Sequence, residues 1–350
     1  MPAMPVALRN AWAVSFGDGI EQPSPAPTST IYDEPHRHLR RYQRETPGAG
    51  NPVLLVPPLA VTITCFDLRP GQSLARFLLE LGRDVYVIDY GDITRADRHL
   101  GFEEWTHDIV PAAVRRVSAE HGGAPVELIG WSFGGTISVL TAAADPDLPI
   151  ASVTAVGTPF DQRKNPGTAA PRAIAPYTGG RELTLPIKLF GGIPSYAVRA
   201  GFKVQALQRE LTKPAYIVRN LENREALARM ESVDRFMADM PGYPARFYRQ
   251  AYRRLIARNE MWRGTVRLGR NQVIELANLT CPVLLLGSRR DVLAPAKSVA
   301  AGVEVLTGSS DARFVEVPGS HLGMLAGPEA RDTSWRAIAD FLGERLPARA

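Results

Sequence analysis

Gly130-Trp131-Ser132-Phe133-Gly134-Gly135 follows the apolar run PVELIG (125–130) and leads into FGGTISVLTAAA (133–144). This is G-x-S-x-G where it has chemical meaning, at a strand that turns sharply into a helix. Such a turn strains the serine backbone, and the flanking glycines leave room for the crowded main chain. The Ser132 hydroxyl is then presented at a helix N-terminus, where the dipole and free amides favour developing negative charge. The chemistry this suits is attack on an acyl carbonyl.

A serine hydroxyl is a weak nucleophile and needs a base beside it. The histidines are His36, His38, His99, His107, His121 and His321. His321 lies in VPGSHLGMLAGPE, after the last apolar run and before the closing helical segment, and is the expected base. His36, His38 and His121 lie in polar segments and read as surface residues, while His107 falls within a helical pattern. The acid should orient the imidazole and stabilise its charged form. Asp291 follows PVLLLGSRR, at the carboxyl end of a predicted strand, where ligands gather in open α/β sheets. Asp161, after ASVTAVGTPF, is its rival. The Phe133 N–H is one expected oxyanion donor. Pro57 and Pro58 cannot donate, so the second is Leu59 or Ala60, and the sequence does not choose between them. One such donor contributes ~3 kcal/mol to transition-state stabilisation.

The elements that must position these groups are short apolar runs: VLLV (53–56), DVYVID (84–89), PVELIG, ASVTAV (151–156), PVLLLG (282–287) and RFVEV (313–317). Helical patterns over 73–82, 102–120 and 133–144 separate the earlier ones. That alternation predicts an α/β chain with a mostly parallel sheet covered on both faces. The order Ser132, Asp291, His321 is that of the α/β-hydrolase fold. Residues 161–261 break the rhythm and read as a mainly helical cap or lid inserted between two parts of the core, 51–160 and 262–350. Residues 1–50, with the proline- and serine-rich QPSPAPTST (22–30), read as a peripheral extension.

A composition of 45% hydrophobic and 22% charged residues in 350 suits a globular chain with a large core. The net charge of +5 comes with scattered arginines and no nucleic-acid motif, so no nucleic-acid partner is expected, although anionic substrates would be attracted. Two cysteines, Cys65 and Cys281, read as buried thiols and cannot build a disulfide scaffold. The opening MPAMPVALRNAWAV does not read as a signal peptide, and the longest apolar stretch, 53–66, is broken by prolines and too short to span a bilayer. Cytoplasmic residence without stable membrane insertion is the expectation. No metal cluster or nucleotide loop is evident, so neither a metal nor another cofactor is expected.

Several of these segments together resemble the polyhydroxyalkanoate synthase family, nearest to its short class III type. The stretch VLLVPPLAVTITCFDLRPGQSLARFLLELGRDVYVIDYGD carries the DL-x-P-x-x-S-L pattern between two strands. DRHLGFEEW, the serine box, GTPFD, NEMWRGTVRLGRNQVIELANLTCPVLLLGSRRDVLAP and GSHLGMLAG continue the resemblance in order, over roughly residues 31–345. It implies an α/β-hydrolase fold, with Ser132, Asp291 and His321 at the nucleophile, acid and base, and it implies a homodimer. The sequence departs from the family at Ser132, where cysteine is usual, at Val292, where histidine is usual, and at Ser320, where glycine is usual.

With serine as nucleophile, the energetic thioester intermediate that sustains polymerisation becomes a lower-energy oxoester. The leading expectation is a serine hydrolase acting on acyl esters or thioesters of hydroxyacyl, polyester-oligomer or lipid-like type. The apolar stretch around Leu183 to Phe202 would line or gate its acyl pocket. The alternatives are an acyltransferase that uses acyl-CoA and a non-catalytic synthase-like granule or subunit protein.

Overall fold

The computed structural model describes residues 5–205, 207–269 and 272–343. The first four residues of the opening MPAMPVALRNAWAV, and Arg270 and Asn271 inside one of the family-like motifs, lie outside them.

Eight strands form one sheet: β1 Thr28–Tyr32, β2 His38–Tyr42, β3 Val53–Val56, β4 Val85–Asp89, β5 Val126–Trp131, β6 Ile150–Val156, β7 Val283–Gly287 and β8 Ala312–Glu316. Their order is β1-β2-β4-β3-β5-β6-β7-β8, antiparallel on either side of β2 and parallel elsewhere. All six expected runs are strands of this sheet. The segment expected to be peripheral supplies two more, β1 and β2, and so is partly built into the core structure. Their sequences TSTIY and HLRRY are only partly buried, which is why they lack the continuous apolar signature of the central strands.

Side chains alternate across the sheet because successive strand residues point to opposite faces. Leu54 and Val56 of β3 join one apolar cluster with Tyr86, Leu128 and Val153, while Val53 and Leu55 join the other with Val87, Ile129 and Leu286. The first cluster is closed by Trp105 and Ile109, by α3 (Val110–Glu120) and by α4 (Phe133–Ala144). The second is closed by α2 (Leu74–Glu80) and by α11 (Ser334–Gly343). A further helix, α1 (Val6–Ser15), precedes the sheet. The pairings Val56↔Gly130 and Trp131↔Val156 bring the carboxyl ends of β3, β5 and β6 level. Every candidate site residue lies on the loops leaving these ends or those of β7 and β8.

Between β6 and β7 the chain is mainly helical, with α5 (Ala169–Thr178), α6 (Arg181–Phe190), α7 (Ser195–Gln205), α8 (Leu207–Arg219), α9 (Arg224–Ala238) and α10 (Ala245–Gln250), the last continued by a π turn over Ala251–Ala257, before a short antiparallel hairpin of Thr265–Arg267 and Val273–Glu275. A two-residue ladder, Gly192-Ile193 against Tyr243-Pro244, was not anticipated. Gly192 is required there, because a Cβ would meet the Tyr243 carbonyl at 2.3 Å. Phe247 fastens these helices to the sheet-covering layer. Its ring stacks on Phe102 at a centroid distance of 4.0 Å and meets Trp105 and Phe133 edge-on at 5.4 and 5.6 Å. Phe247→Ala should therefore lower stability by about 3–5 kcal/mol, the usual cost of emptying a buried aromatic site. Urea unfolding followed by circular dichroism measures it, and an unchanged midpoint would show that the stack is not the anchor.

Candidate active site

At the β5–α4 turn, Ser132 has φ 54° and ψ −120°, a conformation that costs of order 1–3 kcal/mol and persists only where its surroundings enforce it. Those surroundings are explicit. The Ser132 N–H donates to the Val156 carbonyl at 2.8 Å, and the Ser132 carbonyl accepts from the Thr136 N–H and the Thr158 hydroxyl at 3.1 and 3.0 Å. A Cβ at Gly134 would lie 2.0 Å from the Val56 carbonyl oxygen, and one at Gly135 would lie 2.0 Å from Thr158 Oγ1. Helix α4 is thus pressed against β3 and the β6 loop at two glycines. The sharp turn follows from that close approach.

The loops after β7 and β8 carry the other two groups. His321 Nδ1 and Asp291 Oδ2 are 2.7 Å apart, and both side chains are largely buried. The other Asp291 oxygen accepts the N–H groups of Leu293 and Ala294 at 2.8 and 2.9 Å, which fixes the carboxylate plane. Ser288 Oγ donates to the Gly319 carbonyl at 2.6 Å and ties the two loops together. The imidazole is held from further sides. Trp131 Nε1 donates to the His321 carbonyl at 3.2 Å, and its ring lies 5.1 Å from the imidazole. Gly157, with φ 59°, lies beneath it, where a Cβ would approach His321 Cε1 to 3.0 Å.

Asp161, the rival acid, faces elsewhere. Its carboxylate is gripped by the Arg163 guanidinium at 2.9 Å and by Asn259 Nδ2 at 2.8 Å. Burial pushes this carboxyl up, but the hydrogen bonds from Arg163 and Asn259 outweigh it and hold it at about 2. Asn259, in a left-handed conformation with φ 52°, also accepts the Gln162 N–H at 2.8 Å. The pair closes the base of the helical segment, joining its first residues to its last.

Ser132, Phe133, His321 and Leu59 line one cavity of about 680 Å³, walled mainly by apolar groups that include Leu183, Val198 and Phe202. Part of the expected apolar stretch therefore faces this space, while Leu185, Leu189, Phe190 and Tyr196 are exposed. Phe133 opens α4, so its N–H has no intrahelical acceptor. Ala60, with φ 63°, is not among the lining residues described. Polar lining comes from Gln162, Asn165 and Thr168 on one side and from Tyr243 and Tyr248 on another.

The readings of four residues need correction. His121 is not a plain surface residue, since its Nε2 lies 3.0 Å from the Tyr86 hydroxyl. His36 bridges the Tyr90 carbonyl and Asp97 at 3.0 and 2.9 Å, and His38 pairs with Asp33. Cys65 is buried, which pushes its thiol pKa up, but Cys281 is only half-buried. The contributions of Trp131, Gly157, Thr158 and Ser288 were not foreseen. The GTPFD motif contains two of them, and Trp131 sits inside the serine box, but a motif does not reveal what a side chain will support.

A model of the alpha/beta hydrolase fold matches residues 51–328. The chain belongs to that family. Among curated proteins it is similar to "Poly(3-hydroxyalkanoate) polymerase subunit PhaC" of Haloferax mediterranei, at 26% identity over 91% of this chain and 64% of that protein. It is likewise similar to the proteins of that name from Allochromatium vinosum, at 28% over 97% of this chain and 92% of the relative, and Synechocystis sp., at 29% over 91% and 85%. The resemblance read from the motifs is thus matched over most of the chain. Among solved structures, mouse alpha/beta hydrolase domain-containing protein 10 shares the fold, with a TM-score of 0.51 and 16% identity over 91% of this chain and 99% of that one. No helix among the described residues is long and apolar enough to cross a membrane.

Two outcomes are expected. Gly135→Ala must displace Thr158 or α4, and should lower the thermal unfolding midpoint by several degrees while secondary structure by circular dichroism is retained; a wild-type midpoint would contradict the crowding described. Asp161 stays ionised down to about 2 when folded, whereas an unfolded aspartate protonates near ~3.9. Its contribution to stability is therefore complete above that unfolded value and fades as pH falls towards 2. Asp161→Asn should make acid unfolding shallower across that window, measured by fluorescence against pH.

Proposed function

We propose that the chain is a serine-dependent acyl hydrolase acting on esters or thioesters with an apolar acyl group. The observation that carries this reading is the 2.7 Å contact between His321 Nδ1 and Asp291 at the cavity that Ser132 also lines. In the proposed reaction Ser132 Oγ attacks the carbonyl and His321 Nε2 takes its proton. The Asp291 carboxylate fixes the tautomer and stabilises the imidazolium. The Phe133 N–H and one from the Leu59–Ala60 pair hold the oxyanion, with Leu59 favoured by its place in the cavity wall. His321 then protonates the leaving group, removes a proton from water, and the resulting hydroxide releases the acid and restores Ser132. The helical segment 161–261 acts as a lid whose inner face meets the acyl chain.

A second reading is favoured by the relatives, which carry the name of a polymerase. In it the acyl group passes from acyl-CoA through Ser132 to an alcohol. Capture from a thioester by serine runs downhill to an oxoester, and the acceptor, alcohol or water, decides the product. A non-catalytic role accords poorly with a nucleophile, base and acid that all converge on the same end of the sheet.

The test is a panel of p-nitrophenyl esters and acyl-CoAs, with product analysis in the presence of alcohol acceptors. Free acid supports hydrolysis and a new ester supports transfer. Ser132→Ala should abolish turnover and labelling by a fluorophosphonate probe. Asp291→Asn should lower kcat by about ten-thousand-fold, as loss of the correct tautomer does in serine proteases. Equal turnover by wild type and Ser132→Ala would remove the mechanism.

A further inference from the structure

A group of arginines stands along the helical segment with too few acids to balance it. Arg181 opens α6, and Arg249, Arg253, Arg254 and Arg258 follow along α10 and its π-turn continuation. Arg254 and Arg258 share one carboxylate, Glu260, at 3.1 and 3.9 Å. Arg181, Arg249 and Arg253 have no carboxylate within ion-pair distance among the described residues. Glu182, beside Arg181, keeps its charge, held below the ordinary carboxylate range by the hydroxyls of Thr178 and Tyr252 and by the Arg253 guanidinium, so one carboxylate stands against Arg181, Arg249 and Arg253.

The guanidiniums are also short of acceptors. The Nε atoms of Arg249 and Arg253 are both buried without a hydrogen-bond partner, and Arg253 reaches only Thr184 Oγ1, at 3.1 Å, through Nη2. Burial, then repulsion from Arg249, Arg181, Arg258 and Arg254, lowers the Arg253 pKa from its ordinary value. Unmatched buried donors and crowded like charges both oppose folding. An oxyanion with several acceptor oxygens relieves both, and the planar fork of arginine suits phosphate in particular.

We propose that Arg181, Arg249 and Arg253 form a binding site for a phosphate-bearing ligand beside the acyl cavity. Tyr248, Tyr252, Leu255 and Ile256, interleaved with these arginines on one helical stretch, line that cavity. A ligand anchored by its phosphates at the arginines can thus direct an apolar chain towards Ser132. Phosphates of this kind occur on a coenzyme A-type acyl carrier and on phospholipid headgroups. Only the direction of the acyl chain rests on the reaction proposed above; anion binding does not.

The full chain is titrated with coenzyme A by calorimetry and, separately, co-sedimented with phosphatidylglycerol–phosphatidylcholine vesicles. Arg249→Gln/Arg253→Gln should weaken binding of whichever probe the wild type takes by tenfold or more and flatten its salt dependence, while turnover of a neutral p-nitrophenyl ester is retained. Loss for coenzyme A alone identifies a soluble carrier, and loss for vesicles alone identifies a headgroup; either supports the site. If the double variant fails to fold, the exposed Arg181→Gln decides, with at least a threefold loss expected. Wild-type protein that binds neither probe, or variants that bind as tightly as wild type, would overturn the proposal. Ser132→Ala should keep full binding, so failure of the serine mechanism and failure of this site give different results.

Discussion

The backbone of Ser132 is held where a serine would not rest by itself, and the rest of the site is arranged around that constraint. Helix α4 approaches β3 so closely that the Val56 carbonyl leaves no space for a Cβ at Gly134, and Thr158 leaves none at Gly135. Two contacts on the Ser132 carbonyl and one on its amide then fix the turn. Because β3, β5 and β6 are level at their carboxyl ends, the same packing that builds the core aims the hydroxyl into the cavity. Strain at one residue is sustained by a sheet that is buried on both faces.

His321 is positioned by different means. No regular element holds His321; its loop is secured by Ser288 to Gly319, by Trp131 to the His321 carbonyl, and by the carboxylate of Asp291. The imidazole is thus held chiefly by side-chain hydrogen bonds from other segments, and the serine by hydrogen bonds on its backbone together with steric crowding at the glycines after it. The fold brings the two kinds of support to one end of the sheet.

How much of this could be read from the chain follows from the kind of force involved. Strands such as VLLV and PVLLLG are buried on both faces and announce themselves as continuous apolar runs. TSTIY and HLRRY lie at the edge with polar residues interspersed, so their place in the sheet becomes visible only once β4 is there to pair with β2. The strained turn at Ser132 and the loop position of His321 were legible because turn chemistry and chain order specify them. Asp291 and Asp161 both follow strands, and only their partners distinguish them: a histidine for one, an arginine and an asparagine for the other. The supports offered by Trp131, Gly157 and Ser288 depend on distances between segments far apart in sequence, which no local pattern encodes.

The clasp of Asp161 on Asn259 has a consequence for how such a chain can change. It ties the start of the helical excursion to its end through one buried amide–carboxylate pair, before the chain passes through a short hairpin at 265–275 and re-enters the sheet at Val283. Beyond the clasp the segment is still bound to the core, since Phe247, Ala251 and Leu255 pack in one apolar cluster and Val198, Phe236 and Met240 in the other. A change of residues 162–258 would therefore have to preserve those apolar contacts as well as the clasp.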